Sequence, residues 1–179
     1  CKDSESVSGL MTTFIYNPDT VRLLDEYVID LEEGSQIRVL SVAVFERISN
    51  GQKFIVTNTH PAPYGSANYA PNLQAMLTAA SSELEKYAGL PVIMVGDFNI
   101  TPNNSIITDF NSQMKNATLH ADVVDKEESY NDWGARFLTL DYIFYDKFSK
   151  CHYYEVVTEK YAGKEWISDH FPVTAEFTF

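Results

Sequence analysis

The sequence predicts an α+β domain in which β strands dominate and helices lie between them. Three observations carry this prediction. Ile37 to Ile48 is a long apolar run whose centre is apolar on both faces, which indicates burial inside a sheet sandwich. Asn50-Gly51 separates it from a second β-rich run, Phe54 to Thr59, and this is the signature of a hairpin. Apolar residues then recur at helical spacing between Pro71 and Tyr87.

The segment before the hairpin predicts further β structure. Residues 1–9 are polar and are expected to be loose, and residues 1–11 are expected to be disordered or trimmed. Thr12 to Tyr16 is a β-rich run that ends at the turn signal Asn17-Pro18-Asp19. Val21 to Leu31 predicts either one strand or a pair of strands.

A helix is predicted to begin near Pro71, because proline suits the first helical position. Gly89 and Pro91 end it, and Val92 to Val95 follow as a short buried strand. The apolar stripe of the helix consists of Leu73, Met76, Leu77, Ala80, Leu84 and Tyr87.

The remaining elements alternate between short helices, loops and strands. Asn104 to Gln113 predicts a second helix, Leu119 to Val124 stays open between helix and strand, and Asp125 to Asp132 predicts a charged loop. Strands are predicted at Thr139 to Tyr145, His152 to Thr158 and Phe171 to Phe179, the last with strict alternation of apolar and polar residues. No internal repeat or linker divides the chain, so residues 1–179 are predicted to form a single domain.

Composition excludes several classes of protein. The 179 residues are 45% hydrophobic, which excludes a disordered chain, and no apolar run approaches the length of a membrane span. A net charge of −12 makes a large nucleic-acid footprint unfavourable. Cys1 and Cys151 cannot form a disulfide framework and lack zinc-site spacing. Because the chain starts at Cys1, a processed or trimmed end is expected, and a secreted or cell-envelope location is favoured.

Polar side chains collect where predicted strands end. Asp97 and Asn99 follow a buried strand, and alternation would place them on one side, about 7 Å apart along the strand. A simple strand-to-loop turn is the alternative, since Asp and Asn favour turns. Asp141 lies inside an apolar run, where burial is costly without a partner, and a histidine would suit it. Each of these residues also has an alternative without a catalytic function. Backbone amides at a sheet edge could hydrogen-bond Asp141, His60 could be an ordinary loop residue, and Asp169-His170 could be an ordinary surface pair.

Four stretches in this order resemble the motifs of the endonuclease/exonuclease/phosphatase superfamily, which has the DNase I-like fold. They are VTNTH at 56–60, GDFN at 96–99, LDYI at 140–143 and SDHFP at 168–172. The resemblance implies a four-layer architecture of two β sheets packed face to face with helices outside. It also implies cleavage of phosphoester bonds with a divalent metal, usually Mg²⁺, with Mn²⁺ or Ca²⁺ as substitutes.

The resemblance assigns a role to each matching residue. Asp97 would orient or deprotonate the attacking water, and Asn99 would hold that water or a phosphate oxygen. Asp169 would help to hold the metal. His170, oriented by Asp141, would contact the phosphate and transfer protons, whereas His60 would donate to a non-bridging oxygen.

The sequence departs from the family pattern at its start. The family's first strand, which ends in asparagine, and its metal-binding glutamate have no match here. We therefore expect this chain to be a C-terminal portion of the domain that lacks the N-terminal strands. Its metal site would then be incomplete and its turnover by itself low, and another chain could complete the fold. The substrate would be a small-molecule, lipid head-group or nucleic-acid phosphoester. The alternative is a catalytically incomplete binding or assembly module.

Overall fold

The computed structural model describes residues 12–31, 38–62, 75, 78–79, 82, 85–87 and 89–179. Within them the chain forms two β sheets, two short α-helices with complete bounds and further helical positions from Ala75 to Lys86. The strands are β1 (Val21–Asp30), β2 (Val39–Arg47), β3 (Lys53–Thr59), β4 (Val92–Asp97), β5 (Lys115–Asn116), β6 (Val123–Val124), β7 (Asp141–Asp146), β8 (Lys150–Val156) and β9 (Val173–Thr178); the helices are α1 (Ser105–Gln113) and α2 (Ala117–His120).

The larger sheet has six strands in the order β1-β2-β3-β4-β7-β5, and the smaller has the order β6-β8-β9. β3 and β4 are parallel, whereas β7 runs antiparallel to β4. A parallel pair needs a crossover between its strands, and the described positions from Ala75 to Lys86 within this connection are helical. The predicted helix is therefore present at those positions. The other members of its apolar stripe, Leu73, Met76, Leu77, Ala80 and Leu84, lie outside the described residues.

Two hydrophobic cores hold the layers together. On one face of the larger sheet, α1 packs through Phe110 onto Phe98 and Phe144, with ring centroids 5.4 and 5.2 Å from that of Phe110. The other face packs against the smaller sheet, where the rings of Tyr145 and Phe177 lie 4.8 Å apart. Helix, sheet and sheet thus form three successive layers within the described residues. The four-layer arrangement and the missing N-terminal strands stay predictions.

Several sequence predictions of β structure are confirmed. β2 and β3 form the predicted hairpin, and Gly51 occupies its turn with a φ of 72°, a left-handed conformation that favours glycine. β2 is buried from Val39 to Phe45, as expected for a strand covered on both faces. Val21 to Leu31 forms one strand rather than two, because a bulge between Leu23 and Asp25 keeps it paired with β2 throughout.

The prediction of β structure at Thr12 to Tyr16 is wrong. This segment forms no strand, because side chains rather than a backbone ladder attach it to the larger sheet. The hydroxyl of Thr12 lies 2.7 Å from that of Ser41, and the Phe14 and Tyr16 rings pack edge-on against Phe45.

The C-terminal predictions shift by a few residues. The open segment Leu119 to Val124 divides between the end of α2 and β6. The strand expected from Thr139 begins at Asp141, since Leu138 instead bridges to Tyr130 in the preceding loop. In the final strand the apolar residues of the alternating pattern pack on the core between the sheets.

Two further features concern the described part of the chain alone. None of its helices has the length and apolar character that a membrane crossing requires. Cys151 is a buried free thiol, whereas Cys1 lies outside the described residues.

Candidate active site

Three strands of the larger sheet deliver their polar residues to one edge. The parallel strands β3 and β4 end together with Thr59 opposite Gly96, and β7 begins with Asp141 opposite Asp97. The approach is so close at Gly96 that a Cβ atom there would lie 2.1 Å from the carbonyl oxygen of Thr59. Only glycine allows this contact, which sets the spacing between the two strand ends.

Asp97 and Asn99 share this edge for a different reason from the predicted one. Strand alternation was the wrong argument, because β4 ends at Asp97 and Asn99 adopts a left-handed conformation with φ of 54°. The main-chain N–H of Asn99 donates to Asp97 Oδ1 at 2.8 Å, and its side-chain Nδ2 donates to the carbonyl oxygen of Pro61 at 3.0 Å. The alternative reading as a local turn therefore describes the backbone, and this turn brings both side chains to one cleft.

Two histidines face the Asp97 carboxylate. The Nε2 atoms of His60 and His170 lie 3.3 and 3.7 Å from Asp97 Oδ2. His170 Nδ1 lies 2.7 Å from Asp141 Oδ2, so Asp141 has the imidazole partner that its position in an apolar run requires. This pairing fixes the ring orientation of His170 and directs its Nε2 toward Asp97.

The electrostatics separate the three titrating groups. Burial and, to a smaller extent, the nearby Asp141 carboxylate raise the pKa of Asp97 to about 6, against the opposing hydrogen bond from the N–H of Asn99. The hydrogen bond that His170 Nδ1 donates to the Asp141 carboxylate raises the pKa of His170. Burial lowers the pKa of His60, as does the charge of Arg38. Near neutral pH, His170 therefore holds a proton more readily than His60 does.

Several residues that support the site were missed in the sequence. Ser129 is fully buried, and its hydroxyl accepts from the N–H groups of Leu140 and Asp141 at 3.3 and 3.0 Å. Arg38 is 4% exposed and donates from Nη1 to the carbonyl oxygen of His60 at 3.1 Å. A charge inside an apolar run, the signal that identified Asp141, was also present at Arg38.

The segment that carries Asp169 and His170 is held by a loop from another part of the chain. Asn131 is fully buried, its main-chain N–H donates to the carbonyl oxygen of Asp169 at 2.8 Å, and its Nδ2 donates to that of Ser168 at 3.2 Å. The Tyr130 ring packs 4.9 Å from that of His170. No sequence motif predicted this support.

All six predicted site residues line one open cleft of about 1070 Å³. They are His60, Asp97, Asn99, Asp141, Asp169 and His170. Thr101, Asn103 and Asn104 add polar groups on one wall, and Tyr130, Arg136 and Leu138 also line the cleft. Among the described residues, the cleft thus combines three carboxylates, two imidazoles and one guanidinium.

The oxygen atoms of Asp97, Asn99 and Asp169 are of the ligand type that Mg²⁺ prefers. Among the described residues, however, no three His, Cys, Asp or Glu side chains come together in a way that could hold a metal ion. The chemistry of these donors suits a divalent cation, but their number within the described part of the chain does not complete its coordination. Asp169 is the candidate metal ligand, and the binding of Mg²⁺, Mn²⁺ or Ca²⁺ to this site is a proposal.

Packed sheets with acids and histidines at their shared edge define a DNase I-like protein. The model of the Endonuclease/Exonuclease/phosphatase family matches residues 12–170, and the chain therefore belongs to this family. The family predicted from the four motifs is thus confirmed. No curated protein sequence matches the chain.

Solved structures with the same fold include proteins of different activities. The chain is similar to mannosyl-6-phosphatase from Bacteroides thetaiotaomicron, with a TM-score of 0.79, 22% identity and coverage of 92% of this chain and 69% of that one. The human Nocturnin catalytic domain has a TM-score of 0.63 and 21% identity, with coverage of 89% of this chain and 61% of that one. Truncated Caenorhabditis elegans TDP2 has a TM-score of 0.71 and 16% identity, with coverage of 89% of this chain and 67% of that one. At these identities the likeness establishes the fold.

Proposed function

We propose that this chain is a divalent-metal-dependent phosphoester hydrolase in which Asp97 activates the attacking water. The observation that carries the proposal is the Asp97 carboxylate at the base of the cleft, facing His60 and His170. A carboxyl group with a pKa of about 6 is ionised near neutral pH and is more basic than an ordinary aspartate. Family membership supports this reaction class.

The side chains divide the reaction between them. Asp97 accepts a proton from water as the water oxygen attacks phosphorus, and the bond from phosphorus to the leaving oxygen breaks. His170 is kept protonated by the hydrogen bond between its Nδ1 and Asp141, and its Nε2 donates a proton to the leaving oxygen. His60 Nε2 donates to a non-bridging oxygen, while Asn99 positions the water.

Asp169 is the metal ligand in this proposal. Mg²⁺ at this position would neutralise part of the charge on the phosphate group. The Asp169 carboxylate lies at the cleft, and its main chain is held by Asn131, so its position does not depend on the ion.

A small phosphoester is a better substrate for this cleft than a long nucleic acid. The chain carries a net charge of −12, and Arg136 is the one Lys or Arg among the described residues that line the cleft. Binding of long nucleic acids depends on many basic side chains at phosphates. The name of the bacterial mannosyl-6-phosphatase adds hexose phosphates to the candidates.

The test is a substrate panel with metal and with chelator. Phosphate or nucleotide release would be measured from hexose 6-phosphates, inositol phosphates, sphingomyelin, RNA and plasmid DNA, in Mg²⁺, Mn²⁺, Ca²⁺ or EDTA. We expect metal-dependent release from a small ester, at a low rate for this chain by itself, because the described residues do not complete the coordination of a metal ion. The variants Asp97→Asn and His170→Ala should each lower kcat by at least about 100-fold, as the loss of a general base or acid does.

His152→Ala is the matched control, because His152 contacts Thr178 on β9 and does not line the cleft. It should keep normal turnover. Near-normal rates for both site variants would refute the assigned roles. Absence of turnover, together with absence of Mg²⁺ binding in calorimetry, would instead support a binding or assembly module.

A further inference from the structure

Three side chains are in contact beside the proposed reacting centre. The Tyr130 ring lies 4.9 Å from the His170 ring at a tilt of 58°, and the Arg136 guanidinium lies 5.5 Å from the centre of the Tyr130 ring. These distances are typical of a tilted ring–ring contact and of a cation–π contact. The Tyr130 ring therefore contacts both Arg136 and His170.

The loop that carries Arg136 is held in one conformation by specific contacts. Asn131 Oδ1 accepts from the N–H of Trp133 at 2.9 Å, and Asp132 and Trp133 adopt left-handed φ values of 47° and 55°. Left-handed residues other than glycine are strained, and the tight turn that they form reverses the chain. Gly134 allows this turn to dock on Trp166, since a Cβ atom there would lie 2.9 Å from the indole. The turn thus presents the next residues to the cleft.

Arg136 is held loosely by its neighbours. Among the described residues its side chain has two partners, the Tyr130 ring and Asp132, whose Oδ2 lies 3.7 Å from Nε. This ion pair is exposed on both sides, 60% for Arg136 and 37% for Asp132, and such pairs contribute little stability. The guanidinium therefore keeps N–H donors for a ligand, while its stacked face fixes its orientation.

The charges in the cleft indicate what that ligand is. The other charged groups that line it are the carboxylates of Asp97, Asp141 and Asp169 and the two histidines at the reacting centre. An arginine fork matches the oxygen geometry of a phosphate or carboxylate group. Because Arg136 contacts the Tyr130 ring, which in turn contacts His170, an anion that Arg136 binds would lie beside the phosphate under attack rather than in its place.

We infer that Arg136, stacked on Tyr130, forms a specificity subsite for a second anionic group, a phosphate or a carboxylate, on the non-reacting part of the substrate. The inference rests on the proposed function for the identity of the reacting centre. It adds the substrate class: small phosphoesters that carry two anionic groups. Specificity then comes from a residue that takes no part in the bond cleavage.

Three probes separate the possible anions. Fructose 6-phosphate carries one phosphate, fructose 1,6-bisphosphate adds a second phosphate, and 6-phosphogluconate adds a carboxylate. Their dissociation constants would be measured by calorimetry with Mg²⁺ in an Asp97→Asn background, where turnover should be at least about 100-fold slower. Turnover would be measured separately with Asp97 in place, so that failure of the subsite and failure of the hydrolase are distinguished.

We expect at least one doubly anionic probe to bind roughly 10-fold more tightly than fructose 6-phosphate, as one charge-assisted hydrogen-bonded contact provides. Arg136→Ala should bring this ratio close to one, and Arg136→Lys should give an intermediate ratio because lysine lacks the planar stack. Arg47→Ala is the matched control, because Arg47 stacks on Phe179 at 5.3 Å and does not line the cleft. It should keep the ratio of the parent protein.

Three results would overturn the subsite. The first is equal binding of all three probes by the parent protein. The second is a ratio that survives in Arg136→Ala. The third is an equal loss of affinity for all three probes in Arg136→Ala, which would place Arg136 at the reacting phosphate or in the structural support of the loop.

Discussion

Replacing the Asp97 carboxylate with its neutral isostere should stabilise the fold. Asp97 has a side chain that is 16% exposed, and burial raises its pKa from 3.8 to about 6. A raised pKa for an acid means that the charged form is less stable in the folded protein than in the unfolded one. At pH 8 both states are ionised, and the shift corresponds to about 3 kcal/mol of lost stability.

Asp97→Asn removes this cost and keeps an oxygen for the N–H of Asn99. The gain in the free energy of unfolding should approach about 3 kcal/mol at pH 8, on the order of 5–10 °C in Tm. It should fall to about 1 kcal/mol at pH 4.5 and vanish below pH 3.8, where the carboxyl is protonated in both states. The contribution of Asp97 to the free energy of unfolding is thus least favourable above pH 6, where its carboxyl group is ionised.

Urea unfolding in EDTA at both pH values measures the gain without any bound cation. Asp109→Asn, which changes an exposed acid on α1, is the control and should leave stability nearly unchanged at both pH values. No gain at pH 8 would refute the reasoning. An equal gain at pH 8 and pH 4.5 would also refute it, because only the titration of Asp97 makes the effect depend on pH.

The remaining predictions concern rate and stability. The rate of hydrolysis should rise as the pH passes about 6, where Asp97 loses its proton. It should fall again at higher pH as His170 loses its proton, because the pKa of His170 is raised above 6.5. A pH–rate profile that is flat from pH 5 to 9 would contradict this. Gly96→Ala should destabilise the protein by about 3 kcal/mol or more, because the alanine Cβ would lie 2.1 Å from the Thr59 carbonyl oxygen. Thermal unfolding measures this loss. An unchanged Tm would show that the two strands can move apart at this point. Ser129→Ala should cost about 1–3 kcal/mol, since two main-chain N–H groups at the start of β7 lose their acceptor; urea unfolding measures the loss, with Ser129→Thr, which retains a hydroxyl, as the comparison.

Local patterns in the sequence were sufficient for most of the elements and for the candidate site residues that the structure places in one cleft. The Asn50-Gly51 turn specified the hairpin because its chemistry acts over a few residues. The alternation from Phe171 to Phe179 specified a half-buried strand for the same reason. An acid in an apolar run indicated that Asp141 needed a partner, since an unpaired buried charge is costly in any fold.

What the sequence by itself determined, then, was the family, most strands and six candidate site residues. Only the tertiary structure decided how these residues meet: the left-handed turn at Asn99, the burial of Ser129 and the stacking of Arg136 on Tyr130 beside His170. These contacts join segments far apart in the chain, and they depend on strand register and on loop backbone conformations. No local pattern encodes such distances, because each is set by the packing of two sheets and the loops between them.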